Sequence, residues 1–152
     1  TEPVQAFEKA GHRIVHVGLE AGATVRGKKD NTPVKIDRAV KDVAVDEFDA
    51  LLIPGGYSPD KIRVDEDAVR FAGDFVKSGK PVFAICHAAQ LLITADVLRG
   101  KTMTGYKSII QDIKNAGADF VDREVVVDDN LVSSRNPGDL PAFISASLEK
   151  LS

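Results

Sequence analysis

The sequence has no tryptophan, one methionine and one cysteine, and only 6% of its residues are aromatic. One cysteine cannot close a disulfide within the chain, so a reducing compartment, the cytoplasm, is the expected setting. No apolar run approaches the roughly 18 residues that a membrane span requires. The opening Thr1-Glu2-Pro3 has none of the apolar character of a signal peptide. Excess positive charge is also missing. The net charge is −3, and the Lys28-Lys29 pair runs straight into Asp30, so no nucleic-acid footprint is expected. Glycine-rich phosphate loops, cofactor motifs and clustered metal-ligand spacings are not found, and Asp128-Asp129 reads as a solvated turn. No repeat, low-complexity tract or linker divides the chain. With 152 residues, 43% hydrophobic and 28% charged, it has material for one core and is expected to form one domain over 1–152.

What is present alternates between two periods. Residues 3–11 read as a short helix with Thr1 as cap, Pro3 in the first turn and Gly11 as stop. Residues 13–19 alternate as a strand, and 23–36, broken by Gly27, Asn31 and Pro33, read as a β-hairpin outside the main sheet. Residues 49–53 and 81–85 are apolar at consecutive positions, the pattern of strands buried on both faces. Between them, 65–78 has helical spacing and ends at Gly79. Helices are further expected over 87–94, 109–116 and 139–151, and a short strand over 102–104. Strands 124–127 and 131–134 should pair across Asp128-Asp129-Asn130. Buried strands alternating with amphipathic helices predict an α/β fold, a mostly parallel sheet covered on both faces. Because such domains begin on a strand and this chain opens on a helix, a strand is expected to precede Thr1 in the intact protein.

Chemistry concentrates at one junction. Phe83-Ala84-Ile85-Cys86-His87-Ala88-Ala89-Gln90 carries an apolar strand directly into a helix, with Cys86 at the turn. Such turns lie at the carboxyl edge of a parallel sheet, where ligand crevices form. Small residues at 84, 88 and 89 suit a tight nucleophile elbow. A thiolate there would face unpaired helix N–H groups, a field that lowers a thiol pKa from about 8.5 toward roughly 3.5–7.5. The same N–H groups can receive an oxyanion. Three readings of Cys86 stand: buried filler, the ordinary fate of an isolated thiol, catalytic nucleophile, or redox sensor. Pro54-Gly55-Gly56 ends a neighbouring strand and is either a plain turn or a backbone approach to a ligand. Tyr57 follows it and could line the crevice mouth. His87 is a surface cap or an acid–base group. His12 and His16 read as structural, and Arg63 and Arg135 as ion-pair partners before substrate binders.

Leu52-Ile53-Pro54-Gly55-Gly56, then Ser58-Pro59-Asp60-Lys61-Ile62-Arg63, then Ala84-Ile85-Cys86-His87 resembles the PfpI-type intracellular proteases and deglycases. These belong to the superfamily of the parkinsonism-associated deglycase, with the class I glutamine amidotransferase-like fold. Asn115-Ala116-Gly117-Ala118, Glu124 to Asp128 and Ser133-Ser134-Arg135 extend the likeness over essentially the whole chain. The resemblance implies a flavodoxin-like three-layer sandwich, homodimeric and in places hexameric; from the missing motifs, no cofactor and no metal are expected. It implies a stress-related hydrolase acting on small aldehyde adducts or peptides, or alternatively a non-catalytic redox-sensing or chaperone-like stress protein. It also implies Cys86 as nucleophile, His87 as its histidine, and an acidic residue at Asp60 supplied by a second subunit. Gly55, Gly56, Tyr57 and Ala88 would surround the substrate, with N–H groups of Gly56 and His87 forming the oxyanion hole. The chain departs from the family in carrying Ala88-Ala89 where Gly-Pro is usual and Asp60 where Glu is common. The family's cysteine-holding glutamate falls upstream of Thr1.

Overall fold

The computed structural model describes residues 2–18, 24–26, 33–54 and 62–152. In chain order the helices are α1 (Glu2–Lys9), α2 (Glu66–Lys77), α3 (Ala89–Thr94), α4 (Ile110–Asn115) and α5 (Leu140–Leu151). The strands are β1 (Val17–Gly18), β2 (Thr24–Arg26), β3 (Pro33–Lys35), β4 (Arg38–Ala39), β5 (Leu51–Ile53) and β6 (Val82–Ile85). They continue with β7 (Thr102–Met103), β8 (Asp119–Phe120), β9 (Val126–Asp128) and β10 (Leu131–Ser134).

Four strands form the main sheet in the order β5-β6-β10-β9; β5, β6 and β10 run parallel, and β9 closes antiparallel. All residues of β6 and β10 are buried, which is why their sequences are apolar without alternation. The period of two survives in where each side chain goes. Val82, Ala84 and Leu131 pack with Phe71, Phe75 and Leu92 of α2 and α3, whereas Phe83, Ile85 and Val132 pack with Phe7 of α1 and Phe143 of α5. Phe7 stacks on Phe83 at 5.8 Å between ring centroids. The expected sandwich, helices on both faces of a mostly parallel sheet, is what forms.

Local signals account for several ends. Asp65 caps α2, its side chain accepting from the Ala68 N–H at 2.9 Å. Gly11, Gly79 and Gly117 take positive φ where helices were expected to stop. The predicted hairpin pairs Thr24 with Lys35 and Arg26 with Pro33 in a sheet of its own.

Other expectations need correcting. Among the described residues 13–18 of the strand read over 13–19, only Val17–Gly18 pairs, with Arg38–Ala39. The partner turns into a 3-10 helix at Val40–Asp42, which ends the ladder. Asp128 is more than a solvated turn residue: its carboxylate accepts from the Thr102 N–H at 2.6 Å and ties β9 to the start of β7. Among the described residues, no helix is long and apolar enough to cross a membrane.

Candidate functional site

Strand β6 ends at Ile85 in extended conformation, and the chain reverses at once into a 3-10 turn, Cys86–Ala88, that runs on into α3. The reversal falls on Cys86, which has φ +59. A non-glycine residue in the left-handed region is uncommon. The neighbouring packing holds it there, because Cys86 is only 8% exposed and lies among Phe83, Ile85 and Val132. Ala88 and Ala89 are fully buried at the base of the turn.

A second segment braces the turn from the far side of the sheet edge. After β7, the Thr104 N–H donates to the buried Ser133 hydroxyl at 3.0 Å, anchoring the segment to β10. Two residues on, the Tyr106 N–H donates to the Cys86 carbonyl at 3.1 Å. Gly105 lies between these anchors, and a Cβ there would sit 2.8 Å from Ile113 Cδ1 and 3.4 Å from the Cys86 carbonyl oxygen. A larger residue there would have to displace the Ile113 side chain, while the Cys86 carbonyl would remain at ordinary contact distance.

His87 meets the same segment. Its ring lies 4.7 Å from that of Tyr106, tilted by 32°, and its Nε2 is 3.0 Å from the Ser108 hydroxyl. Tyr106 and Ser108 were not singled out from the sequence. They follow a two-residue strand, too short to show a period, and nothing in the order of residues says that this strand end returns over Cys86.

A charged cluster lies along the same sheet edge. Arg135 follows β10, whose Ser134 is in register with Ile85 of β6. Its Nε and Nη2 donate to the two carboxylate oxygens of Asp139, each at 2.9 Å, and its Nη1 donates to Asp122 at 2.9 Å. These hydrogen bonds push the guanidinium pKa further up, Asp139 contributing more than Asp122. They hold the Asp139 carboxyl below its ordinary value. The ion-pair role expected of Arg135 is the one observed. Arg63 instead donates from Nε to the Thr94 hydroxyl at 2.9 Å.

Of the residues expected in the site, Cys86, His87 and Ala88 share one turn. Gly55, Gly56, Tyr57 and Asp60 lie outside the described residues; β5, which leads to them, runs parallel beside β6 and ends at Ile53 against Ala84. Among the described residues, no group of three or more His, Cys, Asp or Glu is disposed to hold a metal ion.

The sequence and the fold are similar to those of known proteins. Over 152 residues the chain is 57% identical to protein/nucleic acid deglycase 2 of Escherichia coli (strain K12), covering 99% of this chain and 88% of that protein. It is 53% identical over 152 residues to general stress protein 18 of Bacillus subtilis (strain 168), again covering 99% and 88%. A solved two-domain protein from Anabaena variabilis, with DJ-1/ThiJ/PfpI-like and ferritin-like domains, matches the fold with a TM-score of 0.95 at 42% identity. That match covers 98% of this chain and 43% of the other. The flavodoxin-like sandwich, the cysteine at its strand-to-helix turn and a match to the DJ-1/PfpI family over residues 1–150 agree, and the chain belongs to that family.

Proposed function

We propose that the chain is a stress-related cysteine hydrolase that removes glyoxal-type adducts from proteins, with Cys86 as nucleophile. Peptide-bond cleavage by the same thiol is the neighbouring chemistry. The observation that carries this reading is the backbone of Cys86, held at φ +59 at the carboxyl edge of the sheet. An L-residue in that region costs about 1–2 kcal/mol, and such strain gathers where a side chain must be aimed at a ligand. The names of two relatives, deglycase and general stress protein, support adduct repair under stress.

In this reading Cys86 gives its proton to His87. The thiolate bonds to the carbon of an adduct that bears the hydroxyl and carries the amine, or to the carbonyl carbon of a peptide, whose C=O π pair moves onto the oxygen. The N–H groups of Gly56 and His87 receive that oxyanion, and Gly55, Tyr57 and Ala88 line the crevice. His87 gives the proton it took from Cys86 to the departing amine as the C–N bond breaks. The hemithioacetal left by an adduct isomerises by proton transfer to a 2-hydroxyacyl thioester. Water cleaves this thioester, or the acyl thioester left by a peptide, to free the acid and Cys86. The charge of Asp60 of the partner subunit stabilises the imidazolium. The protein then works as a homodimer, able to assemble into hexamers, in the cytoplasm. A net charge of −3 favours adducts on proteins and small molecules over polymeric nucleic acid.

Two measurements test this: the pH dependence of iodoacetamide alkylation of Cys86, and turnover of methylglyoxal-modified protein by the wild type and Cys86→Ser. The expected alkylation midpoint lies below the ordinary thiol value of about 8.5, with turnover lost in Cys86→Ser. A midpoint at or above that value, or turnover that survives the substitution, overturns the proposal.

The burial of Cys86 favours a second reading, because 8% exposure admits peroxide more easily than a polypeptide. In it Cys86 is a redox sensor, oxidised to the sulfenic or sulfinic acid without turnover. His87→Ala separates the two. Turnover falls by about 100-fold or more if His87 moves protons, whereas peroxide oxidation of Cys86 persists if the thiol only senses.

A further inference from the structure

The segment that braces Cys86 also grips His87, and the second contact has a chemical consequence. Each imidazole nitrogen takes part in one in-plane hydrogen bond, and in the neutral ring one nitrogen carries the proton while the other is basic. Whichever group bonds one nitrogen decides what the other can do. Here Nε2 is 3.0 Å from the Ser108 hydroxyl. The Tyr106 ring at 4.7 Å limits how the imidazole can swing away. Tyr106 is itself pinned through its N–H to the Cys86 carbonyl. Nucleophile backbone and histidine ring are therefore held by residues only two positions apart.

We propose that Ser108 is a positioning residue for His87: its hydroxyl accepts the Nε2–H and leaves Nδ1 as the basic nitrogen. This rests on the reading above, in which His87 moves a proton during turnover. The opposite polarity, with Ser108 donating to Nε2, would put the proton on Nδ1 and leave neither nitrogen free to act as a base. A serine hydroxyl can accept this bond while donating its own hydrogen to water, because Ser108 is exposed. In cysteine and serine hydrolases this orienting task usually falls to an acidic group. A neutral hydroxyl fixes the tautomer but adds little charge stabilisation to an imidazolium. Ser108 also belongs to the same chain as His87, so the ring is oriented before any second copy contributes a residue.

The experiment compares wild type, Ser108→Ala and Ser108→Thr, with Ser108 exposed enough that both variants should fold. The imidazole 15N shifts of His87, recorded well above its titration, report the tautomer directly. The expected result is a predominantly Nε2–H tautomer in the wild type, a mixed population in Ser108→Ala and restoration in Ser108→Thr. A wild-type Nδ1–H tautomer, or populations unchanged by Ser108→Ala, overturns the proposal. Steady-state turnover of the methylglyoxal-modified protein is measured alongside. There kcat of Ser108→Ala should drop about five- to tenfold, the loss expected from one hydrogen bond, with KM unchanged. Absence of Cys86-dependent turnover in the wild type would defeat the enzymatic reading alone, since the 15N measurement still decides the tautomer.

Discussion

Cys86 combines two properties that rarely meet in a residue kept only for packing. It is buried among Phe83, Ile85 and Val132, as an apolar filler would be, yet its backbone sits at φ +59. A filler gains nothing from that conformation; valine or alanine on a relaxed backbone would pack as well. The strain makes a prediction independent of catalysis. Both Cys86→Gly and Cys86→Ala delete the thiol, but only glycine relieves the left-handed backbone. Cys86→Gly should therefore be more stable than Cys86→Ala by about 1 kcal/mol, the reverse of the usual order, as read from urea unfolding midpoints. If alanine is the more stable replacement, the turn is not strained and the structural argument for a nucleophile elbow fails. The sequence made Cys86 a candidate through its neighbours but could not reveal the angle. Small residues at 84, 88 and 89 permit the turn without requiring it.

The elements that were legible are those whose boundary chemistry and interior pattern agree. Helix α2 has an Asp65 cap, apolar residues on one face and Gly79 beyond its end, and it forms where expected. Strand β6 declared itself by unbroken apolarity, and the turn between β9 and β10 by Asp128-Asp129-Asn130. Strands β4 and β8, two residues each, have no period to read, and of the described residues of the strand expected over 13–19 only Val17 and Gly18 pair. The same limit hid Tyr106 and Ser108, which follow β7, itself tied to β9 and β10 by hydrogen bonds to the Asp128 and Ser133 side chains.

Asn130 shows how far such ties reach. Its buried Nδ2 donates to the Val76 carbonyl at 3.0 Å and to the Lys80 carbonyl at 2.9 Å. It thereby fastens the β9–β10 turn to the end of α2 and to the approach to β6. Asn130→Ala leaves both carbonyls without this donor and should cost about 2–3 kcal/mol, measured by denaturant unfolding. Because Asn130 lies at the opposite end of β10 from Ser134, the alkylation rate of Cys86 in the folded variant should stay at the wild-type value. A stability loss below about 0.5 kcal/mol would mean that water replaces the side chain there.

Assembly of the whole sandwich leaves Arg135 where the carboxyl edge of the sheet meets the start of α5. Its guanidinium joins Asp139, near the amino end of that helix, to Asp122 across the edge. The Asp122 pair is exposed and contributes little. Asp139 is buried, and the Arg135 hydrogen bonds hold its carboxyl below the ordinary value. The native state then binds fewer protons at this site than the unfolded chain, whose Asp titrates near about 3.9. The contribution to stability is complete above that value and disappears as pH falls through the lower native pKa. Asp139→Asn should lower the urea midpoint at neutral pH, and the gap from wild type should close as the pH drops below about 4. A gap of constant size down to the acid transition would show that the side chain acts through shape and neutral hydrogen bonds. The charge would then have no part in holding helix and sheet edge together. A gap that closes would make this ion pair, at the same sheet edge as Cys86, a contact that acid releases only after carboxylates of ordinary pKa have been protonated.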